Sequence, residues 1–168
     1  MNIGLSLAGA FVCLAIAYFN IKKWWDGSRE LKNIAPFAES TVMGALASLC
    51  GGGLLGWLSG CTRQGVSTVG DQAVSGITGT SGGAPVAARS LAGQLTPEGG
   101  VVVALAAVIT VAAYKAAGKD EKRRVAGGLI CGMCLTITAG VAGALDGLPG
   151  LVNEVGATAG RALNIGSL

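Results

Sequence analysis

The chain has 168 residues, of which 51% are hydrophobic and only 12% charged, with a net charge of +3 and a mean hydropathy of +0.61. Soluble domains carry about 25% charged residues, so this composition belongs to a membrane protein. Histidine is absent, which removes the commonest general base, the usual catalytic triads and most zinc sites, so no enzyme, metal site or cofactor is expected.

Taken in chain order, four apolar stretches approach the length of about 20 helical residues that a hydrocarbon core requires. The first runs from Ile3 to about Ile21 and holds no charge. Its positive residues, Lys22, Lys23, Arg29 and Lys32, follow the apolar run instead of preceding it, which is the pattern of a retained anchor and not of a secretory signal peptide. Trp24 and Trp25 beside the two lysines make an interfacial anchor. The second stretch, from about Ser40 to Gly60 ("STVMGALASLCGGGLLGWLSG"), is again uncharged. "LSGC" (Leu58 to Cys61), at its end, has the form of a lipoprotein processing site, but it lies deep in the chain and an internal repeat accounts for its Gly60 without processing.

Residues 64–98 are rich in Gly, Ser, Thr and Ala and lack strong periodicity, so they read as an outer loop or a weakly amphipathic surface helix, either a partner-binding segment or partly disordered by its length. The third stretch reaches from Gly99 to Ala117 and ends beside Lys115. "YKAAGKDEKRR" (Tyr114 to Arg124) follows, and then the fourth, Val125 to Leu145. This basic run reads as a tight polar turn between two spans. "CGMC" (Cys131 to Cys134) has redox-pair spacing, yet in an apolar helix without a neighbouring base it reads as packing. The tail places Leu151, Val152, Val155, Ala159, Ala162 and Leu163 at helical spacing and reads as a short amphipathic helix.

Nine of the twelve Lys/Arg fall in the two connections that follow the first and third stretches. The positive-inside rule puts both connections in the cytoplasm and both termini outside. Glycines at positions 51, 52, 53, 56 and 60, and again at 127, 128, 132, 140 and 143, supply the small-residue faces over which helices approach closely in lipid. "GLLGWLSG" (Gly53 to Gly60) also aligns with "GVAGALDG" (Gly140 to Gly147), and "VSTVGDQA" with "VNEVGATA", which suggests a duplicated unit. The expected architecture is therefore all-α: four transmembrane helices as two tandem hairpins (1–63 and 99–146), separated by an outer loop (64–98) and followed by an amphipathic segment (147–168).

The second hairpin, Gly99 to Leu145, resembles the pilins of conjugative type IV secretion systems, in which two apolar helices flank a short basic turn, through "VVVALAAVITVAAYKAAGKDEKRRVAGGLICGMCLTITAGVAGAL" (Val101 to Leu145). That family assembles with phospholipid into tubes whose lumen is lined by the basic turn. The resemblance implies that Lys119, Lys122, Arg123 and Arg124 form this turn. Apart from it, Lys115, Lys22 and Lys23 are expected as further basic groups facing lipid or lumen. The function expected is a non-enzymatic structural subunit of a homo-oligomeric membrane or tubular assembly, from a conjugative or phage-derived system. Its partners would be copies of itself and phospholipid, with nucleic acid only as cargo. Two alternatives stay open: an envelope protein of a lipid-containing phage that recruits a spike through 64–98, and a holin-like pore former.

Overall fold

The computed structural model describes residues 5–27, 29–50, 52–80, 83, 95–136, 138, 143 and 146–165, the last three as backbone only. Among them are six helices and no strand: α1 (Leu7–Trp25), α2 (Leu31–Leu49), α3 (Gly53–Thr78), α4 (Pro97–Ala116), α5 (Lys119–Leu135) and α6 (Leu148–Ile165).

Local sequence sets their ends. Ser6 caps α1, its hydroxyl accepting from Gly9 N at 2.9 Å, and Thr96 caps α4 in the same way, accepting from Gly99 N at 3.2 Å. Pro97 stands at the first position of α4, where its missing N–H costs nothing, and Glu98 favours the positive end of the helix dipole. Gly79 stops α3 in the left-handed region (φ 70°), its N–H donating to Ser75 O at 2.9 Å.

Two expectations are corrected here. The second stretch, Ser40 to Gly60, is not one continuous helix: it straddles the break between α2 and α3, which are bent by 109° where they meet. The glycines from Gly51 onward weaken a helix at this point, so the apolar run is divided between two elements. Second, the basic run is not a turn. Only Ala117 and Gly118 separate α4 from α5, and Lys119 to Arg124 form the first turns of α5. Asp120 and Glu121 explain this, since both favour the N-terminal dipole and Glu121 Oε2 accepts from Gly118 N at 3.1 Å. Of the outer loop, residues up to Thr78 belong to α3, while most of 81–94 lies outside the described residues. The tail is helical, as α6.

Helix pairing departs from tandem hairpins. α2 packs most closely on α5, α1 on α3 and α4 on α6, whereas the sequential pairs α1/α2 and α4/α5 touch sparingly. Along the α2/α5 seam, Phe37 faces Gly128, Thr41 faces Gly132 and Ser48 bonds Thr136, so the two helices run parallel.

The contacts occur twice. Gly44 lies against Leu129 O and Met133 N, while Gly132 lies against Thr41 O and Ala45 N. Each residue in the second set is the partner, 88 positions away, of one in the first, the same separation as Ser48 and Thr136, whose hydroxyls meet at 2.8 Å. At the outer helices, Gly70 abuts the backbone of Ala8 and Gly9 as Gly156 abuts that of Glu98 and Gly99. Ser67 Oγ accepts from Ser6 N (3.1 Å) as Asn153 Oδ1 accepts from Thr96 N (2.9 Å). The core is doubled too: Cys13, Cys131 and Val66 pack in one cluster, and their counterparts Val103, Met43 and Val152 in another. Each cluster joins the outer helices of one half to the central helix of the other, so the halves interlock about an approximate two-fold axis along the α2/α5 seam.

Candidate functional site

Because α2 and α5 are parallel, the structure brings both basic connections to one end of the molecule. Lys23 Nζ lies 3.7 Å from Asp120 Oδ1, and the Arg124 guanidinium donates to the Asn33 carbonyl. Lys22, Lys23, Lys115, Lys119 and Arg123 are exposed there, while Lys122 and Arg124 are half-buried. Aromatic rings share this end. Lys22 lies over Tyr18 (6.0 Å to the centroid), Arg29 over Trp25 (4.7 Å) and Lys122 over Tyr114 (5.8 Å). Trp24 donates its indole N–H to Glu30 O at 2.9 Å and stacks edge-on against Trp25. A girdle of aromatic and basic side chains is what an apolar–aqueous boundary selects, since each ring keeps one polar edge wet.

Away from this end the flanks are apolar and bare. α1 and α4 are each long and apolar enough to cross a membrane, and little of either is buried: Phe11 is 70% exposed, Val108 and Ile109 each 68%. The bent pair α2 and α3 adds a third candidate span if counted as one. A membrane location is consistent with these helices.

The predicted packing glycines divide into three groups. Gly128 and Gly132 are buried in the α2/α5 seam, where an added Cβ would stand 2.1 Å from Ser40 Oγ and from Thr41 O respectively, and Gly127 admits Ile16 and Asn20 of α1. Gly52, Gly53 and Gly143 face open space, and Gly56 and Gly60 lie half-buried in α3. Gly51 and Gly140 lie outside the described residues. Sequence reasoning missed Gly9, Gly44, Gly70, Gly99 and Gly156, all in close contact with a neighbouring element. The valine-glycine pairs at 69–70 and 155–156 were a usable signal for two of them, and Ser40-x-x-x-Gly44 has the same small-residue spacing as Gly128-x-x-x-Gly132.

Cys131 and Cys134 are buried with Cys13 in one core cluster, and Cys131 Sγ donates to Cys13 O at 3.1 Å. Cys61 is exposed on α3, inside the helix that contains "LSGC". All five cysteines are free thiols.

No protein-family model, curated protein or solved structure matches the chain.

Proposed function

We propose that the protein is a non-enzymatic structural subunit of a membrane assembly, in which α1, α2, α4 and α5 cross the bilayer and copies associate through their apolar flanks. The observation that carries this reading is the polarity of the molecule. Both basic, aromatic-ringed connections share one end, and the two outer helices present apolar side chains left exposed among the described residues. A bundle so oriented suits a repeated unit. Its closest helix contacts are made over glycine inside the chain, leaving α1 and α4 for lipid or for neighbouring copies. An assembly of such units would gather the basic ends into one charged ring, suited to anionic headgroups or to passage of a polyanion. The pilin-like character of residues 99–145 belongs to this reading as an analogy of pattern.

Crosslinking in native membranes followed by separation in mild detergent tests it. Ladders or one discrete oligomer are expected; only monomers across a range of crosslinker lengths would overturn the proposal.

A further inference from the structure

The two outer helices hold equivalent places in the fold but present different outward faces. On α1, Leu7, Phe11, Leu14, Tyr18, Ile21 and Trp25 recur at alternating steps of four and three residues and are between 46% and 70% exposed. That is the repeat along which one helix sets bulky knobs into the holes of a parallel neighbour. Among the described residues nothing covers this ridge.

The other half carries the complementary shape. An apolar groove of about 620 Å³ lies between the first turns of α3 and the middle of α4. Leu54, Leu55 and Leu58 form one wall, and Ala104, Ala107 and Val108 the other. The correspondence that pairs Gly9 with Gly99 and Cys13 with Val103 also pairs Leu14 with Ala104 and Tyr18 with Val108. Ridge and groove therefore stand at the same depth, because a two-fold axis along the membrane normal keeps equivalent helices level.

α1 rests on α3 and α5 whereas α4 rests on α6 and α2, so that axis turns their outward faces to opposite flanks. Copies in one bilayer share an orientation and differ by translation or by rotation about the membrane normal. A half-turn sets ridge against ridge, which holds the helices apart, or groove against groove, which leaves a void. Translation alone brings α1 of one copy parallel to α4 of the next, bulk against hollow.

We propose that the α1 ridge docks into the α3/α4 groove of a second copy, with Leu14 and Tyr18 level with Ala104 and Val108. Six such half-exposed side chains offer on the order of 600 Å², near the ~800 Å² per partner of a stable interface. The contact is heterologous, so units add head to tail until a ring closes, and every basic end falls on one face. The inference rests on the self-association reading above and specifies which surfaces meet.

The test places the photocrosslinker benzoylphenylalanine at Tyr18, and in a second variant at Phe11, of the full chain. Each variant is reconstituted with isotope-labelled wild type in vesicles of phosphatidylethanolamine and phosphatidylglycerol, illuminated, and its adducts are mapped by mass spectrometry. Adducts to labelled peptides containing Leu54 to Leu58 or Ala104 to Val111 are expected. Ala104→Trp in the labelled partner, a change at an exposed position that fills the groove, lowers their yield by about fivefold or more. Ile109→Trp, on α4 but outside the groove, leaves the yield unchanged and separates loss of the groove from loss of fold. Adducts with lipid alone, with α1 of the labelled copy, or within one chain overturn the contact. If the chemical crosslinking ladder survives such a result, copies meet through other surfaces; if it too is absent, self-association itself fails.

Discussion

Gly132 has no room for a methyl group. A Cβ there would lie 2.1 Å from Thr41 O and 2.9 Å from Ala45 N, both backbone atoms of a helix that cannot yield without leaving the seam. Gly132→Ala is therefore expected to destabilise the bundle by about 2–3 kcal/mol, the upper end for overpacking a close-packed contact. The matched control is Gly100→Ala, in an apolar helix of similar length but with nothing within 4 Å of the new atom. It should be neutral or stabilising by up to about 1 kcal/mol, because alanine is the better helix former. Unfolding of detergent-solubilised protein by titration with a denaturing detergent measures both, and equal midpoints for the two variants would refute the seam. Ser48→Ala probes the same place more gently. It removes the 2.8 Å bond to Thr136, worth about 0.6–1 kcal/mol between membrane helices.

α3 and α6 each lay a glycine over the N-terminus of an outer helix, beside a hydrogen bond to Ser67 or Asn153 and a core valine. An alanine Cβ at Gly156 would stand 2.6 Å from Glu98 C, and at Gly70 2.6 Å from Ala8 C. Gly156→Ala should release α6 while α2 and α5 remain packed, so hydrogen exchange is expected to quicken across Leu148 to Ala162 and to stay slow in the seam. Uniform quickening would show that α6 and the seam unfold together. These elements also mark how far the sequence could be read. α1 and α4 were legible as long runs without a charge in their interior, and α6 as apolar residues at helical spacing. The division of the second apolar stretch was hidden from hydropathy, which registers the glycines after Cys50 as neutral and not as a helix break. For Lys119 to Arg124 a signal is present, since acidic residues at the second and third positions announce a helix start, but such dense charge between two apolar runs also fits a turn. Pairing was the least legible feature. Nothing in a local pattern says that α2 will choose α5 over α1, because that choice depends on which glycines meet in space.

At the scale of the molecule, helix directions constrain the number of crossings. α5 runs parallel to α2 and against α1, since Cys131 lies on Cys13 and Gly127 on Ile16 and Asn20. α4 runs into α5 through two residues, so α4 and α1 point the same way. If both of these apolar helices cross the bilayer in one direction, the chain between them must cross back, and α2 is the helix between them that runs the opposite way. Three crossings thus follow from the two plainest spans, and α5 decides the fourth. From Val125 to Leu135 its apolar part covers about 16 Å at 1.5 Å per residue, roughly half of a 30 Å core. The position of α6 distinguishes the two counts. With four crossings, a cysteine introduced at Glu154 is labelled by a membrane-impermeant maleimide from the face opposite to one introduced at Asp26 or Asp120, in a background lacking the native cysteines. With three, all are labelled from the same face. The doubled contacts favour four, because α6 meets α4 as α3 meets α1, and a two-fold axis along the membrane normal places equivalent helices at equal depth. Labelling of Glu154→Cys together with Asp120→Cys on one face would break that equivalence and leave α5 as a helix that enters the bilayer without traversing it.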